Sequence, residues 1–126
     1  MITVAIGGIL AAIAYPSYQN YIVRANRSAA QQFMTDVASR EQHLLLDYRQ
    51  YVAVTSTANF PNAPTSGGLN QSVPATTTGK YTFVVAADNT ATPPTFTITA
   101  TATGTQASDG NLTLDQAGTK APSAKW

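Results

Sequence analysis

The chain has 126 residues, no cysteine, and a formal charge of +1 from 7 basic and 6 acidic side chains. That length leaves room for one domain of modest size with an appendage, not for two cores. The near-zero charge excludes a strong field that would steer the chain onto nucleic acid or an acidic membrane face, and the missing thiols exclude a disulfide framework and any thiolate metal site.

The first element is a long helix in two unlike halves. Residues 1–23 carry no charge. Ile2, Val4, Ile6, Ile9, Leu10 and Ile13 are mixed with alanines so that the helix is apolar on every side, which requires burial in protein or lipid. A weak point is built into it. Gly7 and Gly8 each cost about 1 kcal/mol against alanine, and Pro16 removes an amide donor and crowds the carbonyl four residues back. The two perturbations bracket a stretch of alanine and isoleucine that has no group to cap what they free, so this stretch is expected to stretch or kink where neighbours change, and to stay closer to a continuous curve in an isolated subunit.

From Arg24 the pattern changes. Charged residues enter, while Ala30, Phe33, Met34, Val37, Ala38, Leu44, Leu45 and Tyr48 recur at intervals of three, four and seven, the signature of an amphipathic half-helix over 24–51. Arg40 or Glu41 interrupts the apolar stripe. A connecting loop is expected over 52–79 and strands over 80–126.

The strand signals alternate with a period of two. Tyr81, Phe83 and Val85 share one face, Phe96, Ile98, Ala100 and Ala102 a second, and Leu112 and Leu114 a third, with threonines opposite. Turn residues at 88–94 and 108–111 separate them. A meander of three strands can cover the apolar stripe of the helix, giving an α+β fold whose head core is Phe33, Val37, Leu44, Tyr48, Phe83, Val85, Phe96, Ile98 and Leu112.

The opening MITVAI, then GILAAIAYPSYQNYIVRA, resembles the start of a type IV pilin just after that family's processed Phe and its Glu, and the closing DGNLTLDQAGTKAPSAKW is similar to the tail of the type IVa, PilE-like group. The resemblance implies a lollipop of a long helix packed on a four-stranded antiparallel sheet, the fourth strand falling either after Ala117 or near Tyr51–Val54. It implies a subunit held in the inner membrane before assembly machinery moves it into an extracellular pilus. There it forms a helical filament of identical subunits through its apolar half, supporting adhesion, twitching motility or DNA uptake. The family's Phe-Thr-Leu-Ile-Glu-Leu start is missing, so the chain is expected to be truncated relative to the family's mature form. The family's frequent C-terminal disulfide has no counterpart, which leaves the tail to packing, with Trp126 as its candidate anchor.

Other chemistries fit less well. His43, the one histidine, has Asp47 a turn away, but its nearest hydroxyls, Ser39 and Thr35, are on the same helix and form no preformed nucleophile, so no enzyme is expected. Asp109, Asn111 and Asp115 offer oxygens to Ca²⁺, fewer than the six to eight it takes, and are expected to shape a turn instead. No metal or cofactor is expected. Arg24 and Arg27 are too few for a DNA-steering cluster and mark where the helix leaves the apolar layer. The alternative to a fibre-building subunit is a minor pilin, or a secretion pseudopilin, whose head binds DNA or a secretion partner.

Overall fold

Ile2–Tyr48 form a single α-helix (α1) of 47 residues in the computed structural model, which describes residues 1–126. The helix runs unbroken through Pro16. Residues 1–21 are all exposed, and Ile2, Val4, Ile6, Ile9, Leu10 and Ile13 each keep 52–77% of their surface. A Cβ on Gly7 or Gly8 would meet nothing within 4 Å.

The second half of α1 buries one stripe, Ala30, Phe33, Met34, Val37, Glu41 and Leu44, at helical spacing. Tyr48 is not part of it. The extrapolated stripe puts Tyr48 in the core, but the side chain is 56% exposed, because Arg49 adopts the left-handed conformation (φ 57°) and turns the chain out of the helix. Tyr51 folds back in its place and packs edge-on to Phe96 at 4.7 Å between ring centroids.

Four antiparallel strands follow as a meander in the order β1 (Tyr81–Asp88), β2 (Thr95–Ala102), β3 (Leu112–Asp115), β4 (Lys120–Ala121). The register puts apolar rows across one face: Val85 opposite Ile98 and Ile98 opposite Leu114, Phe83 opposite Ala100 and Ala100 opposite Leu112. That face lies on α1. The fourth strand is the two-residue segment after Ala117; the alternative segment also touches the sheet, through a single bridge from Val54 to Val85 beyond β1.

The core contains Phe33, Val37, Leu44, Phe83, Val85, Phe96, Ile98 and Leu112, all buried, and also Phe60 and Leu69 from the 52–79 connection. That connection is three short 3-10 turns, Thr57–Asn59, Pro64–Ser66 and Ala75–Thr77, rather than an open loop. Phe60 meets Phe33 edge-on at 5.3 Å, and Phe33 meets Phe83 at 4.8 Å. Amides of Leu69 and Gln71 both donate to the Phe60 carbonyl, closing the loop on itself. Gly68 is required there, since a Cβ would stand 2.3 Å from the Asn62 carbonyl oxygen.

Candidate functional site

The polar structure of the head is organised around one carboxylate. Asp109 ends the 3-10 segment Gly104–Asp109, its side chain only 3% exposed. It accepts from both Nε and Nη2 of Arg27 on α1, from the Tyr81 hydroxyl at 3.0 Å, from Gln106 Nε2 at 3.3 Å, and from Lys125 Nζ at 3.2 Å. Burial opposes its charge, but the bonds from Arg27, Tyr81 and Lys125 outweigh it and hold the carboxyl down at about 2. The same Arg27 bond pushes that guanidinium up. Burial is also the main cause that pushes the Tyr81 hydroxyl up to about 12. The tail is fastened by the same group: Lys125 Nζ also donates to the Asp109 carbonyl, and the Lys125 carbonyl accepts from Gln31 of α1. Trp126 packs against the core, with Lys120 Nζ 5.1 Å above its ring.

Along α1, on the side of the 52–79 connection, lies a polar cleft of about 420 Å³ lined by Phe33, Asp36, Ser39, Arg40, His43, Gln71 and Ser72. Helical spacing puts Asp36, Ser39, Arg40 and His43 on one face, and the Phe60-centred loop brings Gln71 and Ser72 up to it. Arg40 donates Nε to the Leu69 carbonyl at 3.2 Å, which fixes the guanidinium plane and leaves its terminal nitrogens without a protein partner. Gln71 donates Nε2 to the Asp36 carbonyl at 3.3 Å; its Oε1 is buried and has no partner. A cation, a carboxylate, an imidazole, two hydroxyls and a buried, unpaired amide oxygen therefore meet around one hollow.

Glu41 lies on the adjoining, buried stripe of α1, the one that also carries Phe33. Its Oε2 accepts the Val52 amide at 2.9 Å, while Oε1 has no partner. Burial pushes its carboxyl up to about 7, against the pull of the Val52 N–H. Two of the six acidic side chains, Glu41 and Asp109, are thus withdrawn from the surface, Asp109 together with the Arg27 and Lys125 cations that pair with it.

A family model described as "Type IV minor pilin ComP, DNA uptake sequence receptor" matches residues 16–113. The chain belongs to that family. The helix and four-stranded sheet form the α+β lollipop expected of a pilin, and the chain is a type IV pilus subunit in a family of pilins rather than of enzymes. No curated protein and no solved structure matches it.

The residues singled out for other chemistry are dispersed. His43 lies in the α1 cleft with Ser39 and Ser72. Asp109 is consumed by its ion pairs, Asn111 Oδ1 accepts the Ala102 amide at 3.0 Å, and Asp115 Oδ1 caps Ala117 and Thr119, so the three do not converge. No group of three or more His, Cys, Asp or Glu side chains stands together. Sequence reasoning missed Gln71 and Phe60, and noted Glu41 only as one of two candidates for the break in the apolar stripe, not as a buried carboxylate. The available signals were a lone large apolar residue in a loop of small polar ones, and one acid within an apolar stripe.

Proposed function

We propose that this subunit is a minor pilin whose head binds DNA, held by α1 in the inner membrane before the assembly machinery moves it into an extracellular pilus. The observation that carries the reading is the α1 cleft, which lies wholly inside the family match. Reading a base sequence takes donors and acceptors presented together, and phosphate contacts take cations. Arg40 and the hydroxyls of Ser39 and Ser72 supply donors, and the Asp36 carboxylate an acceptor; Gln71 Oε1, buried and unpaired, becomes a second acceptor once its side chain turns outward. Exposed Arg49 and Lys120 have no acidic partner and offer phosphate contacts outside the cleft. Ile2, Val4, Ile6, Ile9, Leu10 and Ile13 are the residues that enter the filament core, with Gly7, Gly8 and Pro16 as the point of give.

The test is duplex-DNA affinity of the full chain in detergent micelles, measured by fluorescence anisotropy over a salt series. Arg40→Ala is expected to weaken binding about tenfold and to flatten discrimination between sequences. Unchanged affinity in an Arg40→Ala, Gln71→Ala double variant rejects the cleft. Labelling sheared fibres with an antibody to the head distinguishes the fibre-building role: label at rare points or tips fits a minor subunit, and label along the whole fibre fits a major one.

A further inference from the structure

A second polar cleft, of about 320 Å³, opens at the foot of the head, where α1 leaves it; Asn20, Arg24 and Arg27 form one wall and Ser108 and Asp109 the other. The walls are fixed, since Gln106 Nε2 donates to the Val23 carbonyl at 3.0 Å and Asn26 donates to Gln106 Oε1 at 3.3 Å. Asp109 is saturated by Arg27 and Lys125. Arg24 is the surplus cation. It is exposed and makes no hydrogen bond or ion pair, and the side chains of Asn20 and Ser108 are likewise exposed and unbonded.

The position of this cleft along the helix says what reaches it. Arg24 is the first charged side chain of the chain. The stretch up to Tyr21 is uncovered and uncharged, as a segment set in hydrocarbon must be. Tyr21, 72% exposed, stands at the far end of that stretch, where such rings sit at the headgroup level, with Tyr18 and Tyr15 about one and two turns deeper. Arg24 is one turn further on, at the depth of the phosphates.

We propose that this cleft seats the phosphate of an anionic phospholipid headgroup, with the Arg24 guanidinium as its cation and Asn20 and Ser108 as neutral donors. The proposal rests on the membrane-held stage of the reading above. A DNA backbone is the less suited occupant: a duplex presents phosphates in series and takes several uncommitted cations along one face, and this cleft has one.

The test uses the full chain reconstituted in phosphatidylcholine vesicles with and without phosphatidylglycerol, then released into detergent and weighed by native mass spectrometry to count retained lipid. Wild type is expected to retain phosphatidylglycerol in preference to phosphatidylcholine. Arg24→Gln, which removes no internal bond, is expected to retain roughly fivefold less, the worth of one cation at an anionic surface; Ser108→Ala is the second variant and should lose less. Equal retention by Arg24→Gln overturns the lipid seat while leaving vesicle insertion, and the membrane reading, intact. A chain that does not partition into vesicles overturns both. Displacement of the lipid by inorganic phosphate at the same concentration identifies a free-anion site, and displacement by duplex DNA with loss of DNA affinity in Arg24→Gln identifies a DNA contact; either result overturns the proposal.

Discussion

The two halves of α1 share one backbone ladder and have opposite surroundings. Residues 30–44 bury a stripe against the sheet and the Phe60 loop, whereas residues 2–20 are exposed throughout. The second half carries its own reason to be helical, an apolar face with a partner. The first half contains Gly7, Gly8 and Pro16 and is helical nonetheless, because propagation from an existing helix avoids the cost of nucleation. Order is therefore lent outward from the head, to a segment that has no packing partner of its own.

The largest expected effect removes one side of this contrast. A chain starting at Ala25 should be soluble and monomeric by analytical ultracentrifugation, while the full chain should self-associate or require detergent, since its exposed apolar side chains have no cover. A full chain that sediments as a monomer in plain buffer breaks the contrast. Next comes the covered half. Phe83→Ala should lower unfolding free energy by about 3–5 kcal/mol in denaturant titrations, because the ring contacts Phe33 and is fully buried, and a near-neutral result means that the sheet does not hold α1.

Glu41 sharpens the picture of what the buried stripe tolerates. Its folded carboxyl, at about 7, lies above its ordinary value of 4.5, so the folded state binds the proton more tightly than the unfolded one. Stability is then highest below pH 4.5 as far as this group is concerned, falls as pH rises through that window, and levels off above about 7. Glu41→Gln should abolish this slope and stabilise the protein at pH 8 by about 2–3 kcal/mol, as read from chemical denaturation across pH. A wild-type profile without the slope shows that the carboxylate finds a partner. The smallest effect marks where the covered half ends: Tyr48→Ala should change stability by less than about 0.5 kcal/mol, as an exposed site does, while Tyr51→Ala should cost several times more. Equal costs would mean that Tyr48 packs after all.

Elements with a period were legible in the sequence. The stripe from Ala30 to Leu44 and the alternation around Phe83 and Ile98 each repeat enough to name a buried face, and the same extrapolation carried one turn too far misplaced Tyr48, since nothing periodic announces the left-handed Arg49. β4 has two residues, too short to alternate. Phe60 and Leu69 reach the core from the irregular chain between short 3-10 turns, which has no sequence period to detect. The Asp109 node was illegible for a different reason: Arg27 is 82 positions away and Tyr81 is 28, and no local rule pairs residues at such separations. The α1 cleft was half legible, in that Arg40 and His43 share a helical face by spacing alone, but Gln71 and Ser72 arrive through tertiary folding of the loop.

The tail is closed by Lys125 on Asp109, by Gln31 on the Lys125 carbonyl and by the Trp126 ring, with no sulfur anywhere in the chain. A closure of this kind forms without an oxidant and is indifferent to thiols, so it can be made on either side of a membrane that separates a reducing compartment from an oxidising one. On the reading proposed above, a subunit held in the bilayer and then moved into a fibre needs no oxidative catalyst for its last dozen residues.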